Sequence, residues 1–136
     1  MIADVPTFVK ALQADFKTAI ADPNSIAVEW PNAPFTAPAL GDPWIRFRVL
    51  FGDRRQTEFG TPKRFRQPGV LALNLFFPLQ GGEAPAFDLA QAIEARYRAA
   101  SIAGATFMTP TIQAGSRDGA RWNLPVQCPF YADLTA

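Results

Sequence analysis

The sequence predicts an α+β fold, with two helices packed on one antiparallel or mixed sheet of four or five strands and a long basic hairpin arm. Two segments show amphipathic helical periodicity, the remaining apolar segments alternate or run continuously as strands do, and strands and helices do not alternate regularly. The chain has 136 residues, the length of one ordinary domain. We therefore expect residues 1–136 to form a single domain.

The first helix is predicted over residues 4–21. Asp4 is a candidate N-cap, and Pro6 falls in the first turn, where a missing amide hydrogen costs little. Segment 22–24 ends the helix, because its proline cannot continue it. The apolar stripe recurs at three- and four-residue intervals through Val5, Phe8, Val9, Leu12, Phe16, Ala19 and Ile20.

Two strands and a loop follow the first helix. Residues 26–30 are a short strand candidate, and the proline-rich segment 31–43 is predicted to be an extended loop. Residues 44–51 alternate, so we expect a half-buried strand with two arginines on its second face. One face carries Ile45, Phe47, Val49 and Phe51, and the other carries Trp44, Arg46, Arg48 and Leu50.

A basic hairpin arm is predicted over residues 52–67, between two strands. Its tip, residues 58–62, has turn chemistry, and we expect the arm to be mobile in an isolated subunit. The next strand, residues 69–77, is apolar on both parities except at Asn74, so it should be central and covered on both sides. The arm has a net charge of +3, from Arg54, Arg55, Lys63, Arg64 and Arg66 against Asp53 and Glu58.

The second helix is predicted over residues 86–100, and two further strands over residues 106–113 and 120–131. An Asp-Gly hairpin signal joins the two strands. In the last strand Pro125 and Pro129 share one parity, so both missing amide donors face one side and an edge strand is expected. The buried helix face is predicted to hold Phe87, Leu89, Ala90, Ile93 and Tyr97.

Charge and hydropathy exclude several classes of protein. The net charge is +1, so no global field draws the chain to nucleic acid or to an anionic membrane. The longest uncharged stretch, residues 67–82, contains two prolines and an asparagine, so we expect no membrane-spanning helix and no membrane partner. The N-terminus lacks the basic and apolar regions of a signal peptide, and a single cysteine gives secretion no support.

Catalytic chemistry finds no support in the residue types. The chain has no histidine, which removes histidine triads, histidine metal ligands and the usual general base. Cys128 lies on the apolar parity of a strand and is expected to be a core residue, and segment 115–119 is a turn rather than a nucleophile elbow. The carboxylates lack metal-ligand spacing. We expect no enzyme activity, no catalytic residue, no cofactor and no metal.

The basic arm leaves three interpretations open. It is a solvated loop, or a nucleic-acid surface, or a docking arm that could also line an opening through which DNA passes. The second interpretation draws on the aromatic residues between the basic ones, Phe47, Phe51, Phe59 and Phe65. Trp30, Trp44 and Trp122 are either interface anchors or core-margin residues, and core-margin packing is favoured.

The ordered set of segments resembles the small tail terminator (tail completion) proteins of long-tailed bacteriophages and related prophages. The resemblance spans nearly the whole chain. It rests on the amphipathic N-terminal helix, Val28-Glu29-Trp30, Asn32-Ala33-Pro34-Phe35, Pro43-Trp44-Ile45-Arg46-Phe47-Arg48-Val49, Arg66-Gln67-Pro68-Gly69-Val70-Leu71, Phe77-Pro78, Gly81-Gly82 before a helix near Ala86, and Trp122-Asn123-Leu124-Pro125-Val126-Gln127-Cys128-Pro129-Phe130.

The resemblance implies a structural virion protein at the tail–neck junction, made and assembled in the host cytoplasm. Such a protein forms a hexameric ring that caps the tail tube, stops its polymerisation and presents the head-joining surface. The implied partners are further copies of the chain, the tail tube protein, the head connector or neck protein, and genomic DNA passing through the lumen without sequence readout.

The resemblance also suggests which residues make interfaces. Contacts between rings or neighbouring subunits are hypothesised for Arg46, Arg48, Arg54, Arg55, Lys63, Arg64 and Arg66. Two alternative functions stay open at this point: another neck or head-completion ring protein, and a small nucleic-acid-binding module that uses the arm.

Overall fold

The computed structural model describes residues 5–58 and 64–135, so Asp4, Lys63 and residues 59–62 of the arm tip lie outside the described residues. The fold is α+β, as the sequence predicts. The elements in chain order are α1 (Val5–Phe16), a π-helical turn (Lys17–Ala21), β1 (Ala27–Glu29), β2 (Trp44–Phe51), β3 (Arg55–Glu58), β4 (Arg64–Pro78), α2 (Ala84–Tyr97), β5 (Ser101–Ile102), β6 (Ala105–Phe107), β7 (Thr111–Ile112), β8 (Ser116–Asp118) and β9 (Arg121–Thr135).

Both helices form where the apolar periodicity predicts them. The stripe of α1 buries Phe8, Leu12 and Phe16, and the π-helical turn continues the helical segment to Ala21. The buried face of α2 is Ala86, Leu89, Ala90, Ile93 and Tyr97.

Phe87 does not belong to the buried face of α2, so the prediction for this residue is wrong. Its side chain is 39% exposed. The buried stripe runs through Ala86 instead, and Phe87 lies about 100° further around the helix. The small Ala86 side chain, fully buried, lets the helix lie close to the sheet.

The sheet has nine strands in the described residues, more than the four or five predicted. Its order is β1-β2-β4-β9-β6-β5, with β3 paired to β4, and β7 and β8 paired to β9. It is mixed, because β1 runs parallel to β2 whereas the other pairs are antiparallel. The count rose because the arm contributes β3, β5 was not predicted, and segment 106–113 overlaps two separate short strands. The prediction of a turn over residues 115–119 is also wrong in part: residues 116–118 form β8, and since Asp118 pairs with Arg121, the turn is only Gly119-Ala120.

The last strand is not an edge strand, which overturns that prediction. On one side β9 pairs with β4, and on the other with β6, β7 and β8. The carbonyl oxygen of Pro129 accepts a hydrogen bond from Met108 N at 2.9 Å, and that of Pro125 accepts one from Gln113 N at 2.9 Å. A residue's amide and carbonyl point to the same neighbour in an antiparallel ladder, so both missing donors face the side of the short strands.

Bulges on the neighbouring segments accommodate the two prolines. Residues 108–110 lie opposite two residues of β9 that include Pro129, and residues 113–115 lie opposite two that include Pro125. Each insertion adds one residue and interrupts the ladder where proline cannot donate. The prolines therefore divide the neighbour of β9 into short strands without leaving β9 at an edge.

The helices cover one face of the sheet, the inner face. Leu71, Leu73 and Leu75 of β4 point to this side and are fully or almost fully buried. At the helix layer, the Tyr97 hydroxyl donates to Asp15 Oδ2 at 3.2 Å, and Arg96 also pairs with Asp15. These contacts tie α1 to α2 across the core.

The opposite, outer face of the sheet is covered at one end by the loop of residues 31–43, which forms neither helix nor strand. Phe35 packs on Trp44 at 5.0 Å between ring centroids, and Trp44 stacks on Phe76 at 4.2 Å. Farther along β4, Val70 and Asn74 are half-buried. The prediction for β4 is thus confirmed for its central place and in part for its two-sided cover.

Candidate functional site

The predicted hairpin arm exists, and it has a third strand that the sequence reasoning missed. Strand β3 pairs antiparallel with the start of β4, with Arg55 opposite Arg66. On the other side of β4, β9 continues to Thr135, opposite Arg64. The only sequence signal for this extension is that the alternation of β9 continues past Tyr131.

A buried glutamine fixes the base of the arm. Gln67 is 5% exposed, and its Nε2 donates to Gly52 O at 2.7 Å and to Pro68 O at 3.0 Å. Its Oε1 accepts a hydrogen bond from Arg54 Nε at 3.1 Å. Arg54 also lies near the Phe65 ring, 5.9 Å from its guanidinium carbon to the ring centroid. Arg54 is therefore oriented within its own subunit.

Arg66 is also held in place. Its Nε and Nη2 donate to the two carboxylate oxygens of Asp133 at 3.0 and 3.2 Å. Its guanidinium carbon lies 4.3 Å from the centroid of the Tyr131 ring. The hydrogen bond and charge of Asp133 raise the pKa of Arg66. A bidentate pair of this kind fixes the plane of the guanidinium.

The two arginines of β2 lie on the outer face, away from the arm. Arg46 stands opposite Asn74, and its Nε donates to Glu29 Oε2 at 3.0 Å. Its guanidinium carbon lies 5.3 Å from the centroid of the Phe76 ring. Arg48 is exposed and makes no ion pair or hydrogen bond with a described residue.

Arg55 is the arm residue with an exposed guanidinium that no described residue pairs with. It lines a depression of about 390 Å³ at the base of the arm, with Asp53, Arg66, Pro68 and Tyr131. Of the other predicted interface residues, Lys63 lies outside the described residues, and Arg64 is placed in β4 by its backbone alone. The structure thus brings Arg54, Arg55 and Arg66 together at the arm and sets Arg46 and Arg48 apart from them.

The described part of the chain offers no centre for metal or thiol chemistry. Within it, no three residues among histidine, cysteine, aspartate and glutamate are grouped to hold a metal ion. Its two α-helices are too short and too polar to cross a bilayer. Cys128 is fully buried, and burial raises the pKa of its thiol to about 12, which confirms the prediction that it is a core residue.

Burial of Cys128 predicts a loss of stability in alkali. An unfolded thiol titrates near pH 9.0, whereas the folded one keeps its proton to about pH 12. The stabilisation is therefore complete below pH 9 and falls as the pH rises, by up to about 1.4 kcal/mol per pH unit. Urea unfolding at pH 8 to 10 measures this slope.

Cys128→Ala is the control for this prediction, because it removes the titrating group. The variant should lose most of the slope between pH 8.5 and 9.5, a window in which Tyr97 of the unfolded chain, with its ordinary pKa of 10.0, is still mostly protonated. Equal slopes in the wild type and the variant would contradict the prediction.

Comparison with known proteins gives one family and one fold. The sequence matches the family described as phage tail terminator protein over residues 7–130. No curated protein matches it significantly. One solved structure has the same fold: its TM-score is 0.66 at 19% identity, over 90% of this chain and 94% of that chain. The family match spans α2 and eight strands completely and most of α1 and β9, and the chain therefore belongs to the phage tail terminator family, whose members are structural proteins of the phage tail.

Proposed function

We propose that six copies of the protein form a ring that caps the phage tail tube, ends tube polymerisation and presents the surface that joins the head connector. The family match over residues 7–130 carries this proposal. Assembly takes place in the host cytoplasm, and the finished ring lies at the tail–neck junction. Genomic DNA passes through the lumen without sequence readout.

The charged side chains support a function in interfaces. Arg48 and Arg55 are exposed and have no described partner, so their charges are available to another molecule. On the same face of β2 as Arg48, Leu50 is 49% exposed. An exposed apolar side chain beside an unpaired arginine is typical of protein interfaces, where arginine is enriched.

The proposed interface residues divide into two groups by their contacts. Arg46, Arg54 and Arg66 are oriented by groups of their own subunit. A side chain already held in one geometry loses less entropy when a partner binds. Arg48 and Arg55 supply free charge. Lys63 and Arg64 complete the proposed set.

Two measurements test the ring and the arm. Light scattering and negative-stain imaging of the wild-type protein with isolated tail tubes should show hexameric rings on tube ends. A phage with serine in place of Arg54, Arg55, Lys63, Arg64 and Arg66 should yield tails of uncontrolled length and few infectious particles.

Matched substitutions away from the arm provide the control. Lys17→Ser and Arg98→Ser remove exposed charges on the helix layer, whose surface ion pairs contribute little. Tails of this phage should have normal length. Wild-type protein that ignores tube ends would contradict the ring function itself. Normal rings and full-length infectious tails from the five-serine variant would contradict the function of the arm alone.

A further inference from the structure

A small protruding turn lies at one end of the outer face. We call residues 39–42 the knob, a turn closed by a hydrogen bond from Asp42 N to Ala39 O at 2.9 Å. Leu40 at its tip is 61% exposed, more than any other large hydrophobic side chain in the described residues. A Cβ atom on Gly41 would meet no atom within 4 Å. The knob therefore presents an apolar side chain and a carboxylate to solvent.

The knob is held firmly although it belongs to a loop. Arg121 donates from Nη2 to Pro38 O, and to Ala39 O at 3.3 Å. The guanidinium carbon of Arg121 lies 5.8 Å from the centroid of the Trp44 ring, which also packs on Phe35. A preorganised loop pays a lower entropy cost on binding. Leu40, which follows these anchored residues, stays mostly exposed to solvent among the described residues.

The depression at the base of the arm lies at the other end of the same face. Arg121 begins β9, and Tyr131, which lines the depression, comes ten residues later on the same strand. At a rise of about 3.3 Å per residue, the two positions are roughly 33 Å apart. The knob cannot reach the depression of its own subunit. A contact between the two must join different copies, head to tail, which is the type of interface that closes rings.

The two surfaces are complementary in chemistry. Pro68 and Tyr131 give the depression an apolar wall. The charge of Arg66 is already neutralised by Asp133, and Asp53 also lines the depression. Arg55 forms no ion pair with a described residue, Asp53 included, so its guanidinium is left to pair with an incoming carboxylate. Asp42 on the knob is exposed and has no ion-pair partner among the described residues.

We propose that the knob of one subunit inserts into the depression of the next copy in the ring. Leu40 packs against Pro68 and Tyr131, and Asp42 pairs with Arg55. The contact rests on the proposed ring and specifies how its subunits join. Each copy contributes one knob and one depression.

Charge reversal tests the contact. Asp42→Lys and Arg55→Glu each place like charges together, so each should weaken association of subunits at least about tenfold. The double variant D42K/R55E restores opposite charges and should recover rings. Light-scattering mass and negative-stain ring counts on tail tubes are the readouts. Leu40→Ser should weaken association by about the same factor.

Controls separate the contact from folding and from the ring itself. Asp88→Lys and Arg117→Glu make the same charge changes at exposed positions elsewhere and should leave ring counts unchanged. Circular dichroism checks that every variant is folded. If the wild type forms rings and the D42K and R55E variants form them equally well, the proposed contact is wrong, whereas the ring function is unaffected. Loss of rings in both single variants without recovery in the double variant would also overturn the pairing of Asp42 with Arg55.

Discussion

Replacing Phe130 with alanine is expected to destabilise the fold by about 3–5 kcal/mol, a large part of the 5–15 kcal/mol that stabilises a typical domain. Phe130 is fully buried in β9. Its ring contacts Phe8 of α1 at 5.3 Å, Phe107 of β6 at 5.4 Å and Phe51 of β2 at 6.2 Å between centroids. The cavity would remove packing from three elements at once. Urea unfolding followed by far-UV circular dichroism measures the loss.

Phe87→Ala removes the same side chain from a position where the cavity cannot form. Because Phe87 is 39% exposed on α2, its loss should change the free energy of unfolding by no more than about 1 kcal/mol. Similar losses for the two variants would contradict the assignment of Phe130 to the centre of the core.

Gly69→Ala should cost about 1–3 kcal/mol, although it adds a single methyl group. Gly69 stands opposite Phe130 on β9 and Phe51 on β2. The added Cβ would lie 2.6 Å from Phe130 Cζ and 2.8 Å from the backbone oxygen of Leu50. A backbone oxygen cannot rotate aside, so β2 and β4 would have to separate. Thermal and urea unfolding of the purified variant measure the effect.

Gly81→Ala is the matched control for the added methyl group. The nearest atom to a Cβ at this turn position is Pro78 O at 3.8 Å, an ordinary contact. The free energy of unfolding should change by less than about 0.5 kcal/mol. A tolerated Gly69→Ala, with no more effect than Gly81→Ala, would show that the ladder around Gly69 is looser than described.

The elements that could be predicted from sequence are those whose pattern is local. Stripes at three- and four-residue spacing located α1 and α2, and alternation located β2. The continuous apolar run placed β4 at the centre of the sheet, because a strand apolar on both parities needs neighbours and cover. Phe87 was misplaced because a helix stripe wide enough to include it gives no sign of which flank meets the sheet.

The edge prediction failed for a reason that single-strand patterns cannot reveal. The two prolines of β9 do share a side, but the neighbouring segment bypasses them with one extra residue at each. Whether proline marks an edge or a bulge depends on the partner, which lies elsewhere in the sequence. For the same reason, the sequence could not show that segment 106–113 is divided into β6 and β7, because the division depends on pairing with β9.

The candidate site was predictable in composition and not in arrangement. The excess of basic residues located the arm, whereas the state of each arginine depends on pairing across the sheet. Arg46 meets Glu29 only because β1 runs parallel to β2, and Arg66 meets Asp133 only because β9 extends along the arm. The knob gave no sequence signal of its own, since its exposure depends on Arg121, more than 70 residues away.

The paired length of β4 and β9 has a mechanical consequence. The two strands remain in register over fifteen residue pairs, from Arg64 opposite Thr135 to Pro78 opposite Arg121. This is about 50 Å of continuous ladder, longer than most strands in globular proteins. A force pulling the arm along the strands loads all of these hydrogen bonds in shear, so they resist together rather than opening one by one. Tension applied at the arm is therefore carried along the ladder to its far end, at Pro78 and Arg121, with little deformation between.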